Sequence, residues 1–100
     1  MKLTKYTHAC VRLEKDSRII VLDPGTFSES AEALAGAEAV LVTHEHGDHI
    51  DVPAVVAALK GNTDLAVFAP AGVADNLRKG AALNAVQIAE LVAAKSPAAV

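Results

Sequence analysis

The segment 43–51 restricts the fold of this chain more than any other stretch of its sequence. It holds three of the chain's four histidines within six residues, and an aspartate directly precedes the last of them. The four residues before it, 39–42, are all apolar, whereas Asp51 and Pro53 are typical of a helix start. This order predicts a buried strand over 39–42 that ends in a polar loop, with a helix after the loop.

The residues before this segment predict a hairpin followed by a crossover. Strands are predicted at 3–8, 10–14 and 18–22. The polar residues 15–18 form a turn of hairpin length between the second and third of these strands. Thr26 and Glu29 have the spacing of a capping box, which predicts a short Ala-rich helix that ends near Gly36.

The residues after the segment predict helices and strands in alternation. The pattern places a helix at 53–60, a strand at 65–69 and a helix at 70–78. Gly61 and Gly80 are expected to end the two helices. Residues 85–89 alternate as a strand would, although the apolar spacing of the last twenty residues also fits a helix. A hairpin followed by alternating helices and strands predicts one α/β domain over residues 1–100.

Composition disfavours several classes of function. A formal charge of −3 offers no basic surface for nucleic acid or for an anionic membrane. No apolar run approaches the roughly 18 residues of a membrane span, and the first residues lack the apolar core of a signal peptide. Cys10 is the only cysteine, so no disulfide can form within the chain, and it is expected in the core. These features predict a cytoplasmic protein with a small-molecule substrate.

The donor atoms within 43–51 are those that zinc and similar ions prefer, imidazole nitrogen and carboxylate oxygen. His44 and His46 are two residues apart, so both side chains point to the same side of an extended chain. Asp48 and His49 are adjacent and would face another direction, because Gly47 allows a sharp turn. One pair of residues per ion is therefore predicted, with the two ions close enough to share a hydroxide.

Two other interpretations of these residues are weaker. A solvated polar loop would not explain why three histidines and an aspartate directly follow a buried strand. An adjacent His-Asp pair on helices would indicate a different type of metal-dependent phosphohydrolase. Here the order is Asp48-His49 and the pair follows a predicted strand, so the sequence favours the two-metal loop.

The motif at 44–49, His-Glu-His-Gly-Asp-His after an apolar strand, resembles the signature of the metallo-β-lactamase-fold hydrolases. Thr43, Asp51 and the upstream residues 21–25, Val-Leu-Asp-Pro-Gly, also match that family. The residues at 8–14, His-Ala-Cys-Val-Arg-Leu-Glu, are similar to the branch that includes L-ascorbate-6-phosphate lactonase-like hydrolases. The resemblance extends over about the first 80 residues.

The resemblance implies a role for each residue of the motif. His44 and His46 would bind one metal ion, and Asp48 and His49 a second one. Asp48 would also be the catalytic residue that orients the attacking water. Zinc suits these ligands best, and manganese or iron is compatible with them.

Four further residues would contact the metal ligands rather than the metal ions: Asp23, Thr43, His8 and Asp51. Asp23 would fix the motif loop by hydrogen bonds, because groups behind metal ligands set the orientation of those ligands. Asp51 fits the N-cap of the next helix at least as well as a role at the site. His8 fits a hydrogen-bonded structural role as well as a position beside the metal.

Members of this family are αββα sandwiches built from two similar halves, and they are much longer than this chain. The resemblance therefore implies an N-terminal half, a mixed β-sheet with helices on one face, and one incomplete domain over residues 1–100. No histidine follows His49. The ligands that family members take from their second half are thus missing from this sequence.

Two functions follow from these observations. The first is a metal-dependent hydrolase whose activated water attacks an ester-like bond in a lactone, phosphodiester or thioester. The alternative is a truncated, non-catalytic metal-binding half-domain that needs a second half or a partner. An uncovered apolar sheet face would favour association, so we expect a homo-oligomer or a complementing second half to cover it.

Overall fold

The computed structural model describes residues 1–46, 49–62, 64–81 and 88–90. Its strands are β1 (Lys2–Lys5), β2 (Val11–Lys15), β3 (Arg18–Leu22), β4 (Ala39–Leu41), β5 (Ala66–Ala69) and β6 (Ile88–Glu90). Its helices are α1 (Ser30–Leu34), α2 (Val52–Gly61) and α3 (Ala71–Ala81). The predicted order of a hairpin followed by alternating helices and strands is confirmed for these residues.

Within the described residues, six strands form one sheet in the order β1-β2-β3-β4-β5-β6. The first three strands pair antiparallel, whereas β3, β4, β5 and β6 pair parallel. A helix lies between each parallel pair in the sequence, and right-handed crossovers that advance in one direction place their helices on one face. The predicted mixed sheet with helices on one face is thus confirmed. The motif begins at the carboxyl end of β4, beside the ends of its two parallel neighbours.

The helix-covered face of the sheet supplies the core. Val21, Val40 and Val67 lie side by side on β3, β4 and β5, and all three are buried. Leu59 of α2 and Leu77 of α3 are fully buried in the same hydrophobic cluster. Aliphatic side chains therefore hold the helices onto the sheet.

The opposite side of the sheet, which we call the open face, is also apolar. Leu3, Leu13 and Ile20 are neighbours across β1, β2 and β3, and Phe68 lies on the same side of β5. Leu3, Ile20 and Phe68 are exposed. Within the described residues no helix covers this side of the sheet.

The first strand is shorter than predicted. It ends at Lys5 rather than at residue 8, and the backbone N–H of Tyr6 donates to the carbonyl of Cys10 at 2.9 Å. His8 has φ of 63°, which is incompatible with an extended strand. Residues 6–10 thus form a loop, and this loop changes where the His8 side chain points.

Two predicted helix boundaries are wrong. Glu29 is the N-cap residue of α1, but its side chain makes no cap hydrogen bond, so Thr26 and Glu29 do not form a capping box. Gly80 lies inside α3 rather than after it. A Cβ added to Gly80 would lie 3.0 Å from Val56 Cγ2, so this glycine permits close packing of α3 against α2.

The start of α2 agrees with the prediction. Asp51 is the N-cap residue, and its carboxylate accepts a hydrogen bond from the backbone N–H of Ala54 at 3.1 Å. Pro53 lies in the first turn, where its missing N–H costs nothing. Gly61 is the last residue of this helix, and Asn62 is its C-cap.

The C-terminal prediction is only partly covered by the structure. Residues 88–90 are a strand, whereas 82–87 and 91–100 lie outside the described residues. Of the helices in the described ranges, none is both long and apolar enough to cross a membrane.

Candidate metal centre

Asp23 connects the end of β3 to the first residue of the motif loop. Its Oδ1 accepts the backbone N–H of Thr43 at 2.7 Å, and its Oδ2 accepts the Thr43 hydroxyl at 2.7 Å. The same Oδ2 lies 3.1 Å from Nδ1 of His49. The side chain is buried and the residue has φ of 49°, a left-handed conformation that aspartate tolerates better than most residues. One carboxylate therefore fixes both ends of the motif.

The rings of His44 and His49 are oriented by this network. Thr43 Oγ1 lies 2.7 Å from His44 Nδ1, and because the hydroxyl proton goes to Asp23, the ring nitrogen is assigned as the donor. His49 Nδ1 also faces the Asp23 carboxylate, but this 3.1 Å contact does not have the geometry of a hydrogen bond. With its Nδ1 proton directed to Thr43, the His44 ring keeps the Nε2 lone pair for a metal ion. Their centroids are 4.5 Å apart.

His46 is exposed, and its backbone supports the turn after it. Its carbonyl accepts hydrogen bonds from the backbone N–H groups of His49 at 2.8 Å and of Ile50 at 3.2 Å. Gly47 and Asp48 lie outside the described residues, so the placement of Asp48 stays a prediction. Among the residues that are described, no three His, Cys, Asp or Glu side chains are arranged to hold an ion. The described donors nevertheless suit zinc, because imidazole nitrogen is a preferred zinc ligand and the Thr43 hydroxyl orients the His44 ring.

His8 lies beside the motif although it is far from it in sequence. Its ring centroid is 5.9 Å from that of His49, in an edge-to-face arrangement. The His8 ring also contacts Phe27, with a centroid distance of 5.7 Å. Phe27 is exposed, and sequence reasoning did not select it. Its only sequence signal is an aromatic residue shortly after Asp23-Pro24-Gly25.

The loop that carries His8 is tied to the loop before α1. The Glu29 carboxylate accepts the Thr7 backbone N–H at 3.0 Å and its hydroxyl at 2.8 Å, and these bonds hold the pKa of Glu29 below its usual value. Ser28 Oγ donates to the Thr7 carbonyl at 2.6 Å. Lys5 Nζ donates to the carbonyl of His8. The contacts explain why Glu29 does not cap its own helix.

Two further residues have structural roles beside the site. The backbone N–H of Asp51 donates to the Pro24 carbonyl at 2.6 Å, while its carboxylate caps α2. The predicted alternative for Asp51, the N-cap of the next helix, is thus observed. Cys10 is fully buried, and burial raises the pKa of its thiol to about 11. A thiol in that state is neutral near pH 7 and is not an activated nucleophile.

Comparison with known proteins identifies a family whose model matches this chain. The family model described as Beta-lactamase superfamily domain matches residues 18–98. The protein Rv0786c of Mycobacterium tuberculosis is 39% identical over 69 residues, which cover 69% of this chain and 32% of that protein. A UPF0173 metal-dependent hydrolase of Methylocella silvestris is 35% identical over 91 residues, covering 80% of this chain and 39% of the relative.

A solved structure shares the fold. Human tRNase Z, short form, superposes with a TM-score of 0.58 at 17% identity, covering 90% of this chain and 40% of that protein. At this identity the likeness concerns the fold alone. The chain spans between 32% and 40% of the length of these three proteins.

Proposed function

Because this chain belongs to the family described as Beta-lactamase superfamily domain, we propose that it acts as a metal-dependent hydrolase. The bond that we propose it cleaves is an ester-like bond in a small molecule, such as a lactone, phosphodiester or thioester. The observation that carries the proposal is the position of the Asp23 carboxylate behind the motif. It contacts Thr43 and His49 directly and His44 through the Thr43 hydroxyl. Such a carboxylate-histidine arrangement is the usual support for metal-binding imidazoles.

In this proposal, His44 and His46 hold one ion, and Asp48 and His49 hold another. Zinc fits these donors, and manganese or iron is compatible with them. When bound, the ions supply Lewis-acid polarisation of the scissile bond and a nucleophile derived from water at neutral pH. We assign Asp48 the task of orienting that nucleophile.

The remaining residues of the site bind and orient. Asp23 and Thr43 hold the His44 ring with its Nε2 atom available, so less side-chain entropy is lost when a ligand binds. His8 lies against the His49 ring, and Phe27 lies against His8. We propose that they border the space in which the substrate lies.

Metal content tests this function. Purified chain should retain zinc, measured by mass spectrometry after gel filtration, and His44→Ala should remove it. We expect Asp23→Ala to lower zinc affinity by about 10–100-fold, the usual effect of removing a group behind the ligands. Asp64→Ala is the matched control, since Asp64 is an exposed aspartate distant in sequence from the motif. Equal loss of zinc in both aspartate variants, or no retained zinc in the wild type, would contradict the proposal.

The alternative function is a non-catalytic metal-binding half-domain that works with a second half or with another copy of itself. The exposed apolar residues of the open face favour it. Hydrolysis of a generic phosphodiester or lactone by the zinc-loaded chain supports the enzyme. Zinc retained without hydrolysis supports the half-domain.

Two features support what we propose for the partners and the cellular location of this protein. The net charge of −3 gives no general attraction for nucleic acid or for an anionic membrane surface. Cys10 is a free, buried cysteine, which suits a reducing compartment, so we propose a cytoplasmic protein.

A further inference from the structure

Glu45 separates the two proposed ligands His44 and His46, and its side chain lies against the start of α3. A Cβ built on Gly72, the second residue of that helix, would overlap Oε1 of Glu45. The same Cβ would lie 3.3 Å from Glu45 Cδ and 3.9 Å from Oε2. Only a glycine at this position lets the carboxylate approach the helix so closely.

The residues at the start of α3 supply no carboxylate for its first N–H groups. The residue before it is Pro70, whose side chain cannot accept a hydrogen bond, and its first turn contains no acidic residue. The first backbone hydrogen bond of the helix runs from Ala74 N–H to the Pro70 carbonyl at 2.9 Å. The N–H groups before it carry partial positive charge at a helix N-terminus, which favours a carboxylate nearby.

The helix that receives Glu45 is itself firmly packed. Val73, Ala74 and Leu77 are buried in the core cluster, so the first turn of α3 offers the exposed motif loop a rigid support. Thr43 and His49 are held by Asp23 at the two ends of this loop. His46, in its middle, is exposed and lies directly after Glu45.

We propose that Glu45 is a positioning residue that docks the middle of the motif loop onto the N-terminus of α3, with Gly72 as the required contact. Its value for metal binding rests on the proposed function. The contact itself does not, because it exists between residues of the chain without a metal ion. Asp23 fixes the ends of the loop, and Glu45 fixes the part that carries His44 and His46.

The first test uses the full chain without metal. Gly72→Ala should displace the Glu45 carboxylate, because the end of a long side chain can swing away more easily than the helix can move. We expect the NMR ring resonances of His44 and His46 to shift in this variant. Gly61→Ala is the matched control, since it also replaces a helical glycine but a Cβ there meets nothing within 4 Å. Unchanged ring resonances in Gly72→Ala would overturn the proposal.

A double variant separates this contact from a general effect on folding. With Glu45→Ala in place, the methyl group of Gly72→Ala has no carboxylate to displace, so adding it should raise thermal stability, as alanine does in helices. In the wild-type background the same methyl group should raise stability less. Equal effects of Gly72→Ala in both backgrounds would show that the two residues are not coupled.

Zinc titration then measures the consequence for the proposed site. Glu45→Gln keeps the size of the side chain but removes its charge, and should weaken zinc binding by about twofold to fivefold, the range of a charge at a helix end. Glu45→Ala should weaken it at least as much. If no variant or wild-type chain binds zinc, the proposed function fails, while the metal-free NMR comparison still decides whether Glu45 is docked on α3.

Discussion

The two faces of the sheet have similar apolar side chains but different surroundings. On the helix-covered face, Val21 and Val67 are 0% and 1% exposed, whereas their chain neighbours Ile20 and Phe68 on the open face are 43% and 40% exposed. Strands apolar on both sides usually belong to sheets that are covered on both sides. The difference shows that the strands carry a pattern for two covering layers, of which the described residues supply one.

The largest expected difference in stability is between two variants that each introduce a charged side chain on one face of the sheet. Val67→Asp should unfold the domain, since an unpaired carboxylate buried under the helices costs more than the few kcal/mol that hold a small domain together. Phe68→Asp, one position along β5, should leave the fold intact, because its side chain reaches water. Far-UV circular dichroism and thermal melting of the two variants make the comparison. Equal unfolding by both would mean that the open face is covered in solution.

The edge of the sheet at which β3 ends, where Asp23 lies, should be the region whose substitution has the next largest effect on stability. Asp23→Ala removes the acceptor for the N–H and the hydroxyl of Thr43 and places alanine at a positive φ, so we expect a loss of about 2–4 kcal/mol in unfolding free energy. Asp23→Asn keeps an acceptor and tolerates that backbone conformation, and it should lose less. Urea denaturation measures both. An equal loss for the two variants would show that the hydrogen bonds of Asp23 do not determine stability here.

The open face itself should promote association. Each Phe68 side chain that leaves water in an assembly contributes about 1.5–3 kcal/mol, so Phe68→Asp should raise the dissociation constant at least about tenfold. Light scattering coupled to gel filtration gives the mass of the wild type and of the variant. Ala57→Asp on the exposed side of α2 is the control for added charge. A monomeric wild type would leave this face to a complementing second half.

The smallest effect concerns a buried thiol. Burial raises the pKa of Cys10 from 9.0 to about 11, so folding favours the neutral thiol. The resulting stabilisation should be fully present below pH 9 and should be lost as the pH rises through about 11. Melting temperatures across this range, compared with those of Cys10→Ala, measure it.

Thiol labelling compares the faces directly. Cys10 should react with a disulfide reagent only after unfolding, because it is fully buried. A cysteine introduced by Ile20→Cys in the Cys10→Ala background should react in the folded state. Rapid labelling of native Cys10 would contradict the assigned burial.

Local features were predictable where a few neighbouring residues decide the outcome. Strand β3 has the predicted bounds because a polar turn and Asp23-Pro24 delimit a β-branched run. Asp51 and Pro53 mark the start of α2 because capping depends only on the first turn. Glu29 and Gly80 misled the prediction because each serves a distant partner. Glu29 accepts hydrogen bonds from Thr7, which is 22 residues away, and Gly80 makes room for Val56.

The sequence alone determined the family, the mixed sheet and the residues proposed as metal ligands, because these depend on short motifs and local periodicity. The family resemblance already implied supporting roles for Asp23 and His8. Only the tertiary structure showed which atoms of Asp23 contact Thr43 and His49, that Phe27 lies against His8, and that Glu45 lies on α3. Such contacts join segments that are distant along the chain. They form only when the strands pair and the helices pack, so no spacing within the motif reveals them. The segment 43–51 contains the proposed metal-donor residues. The surrounding fold determines the orientation of the histidine side chains that the structure describes.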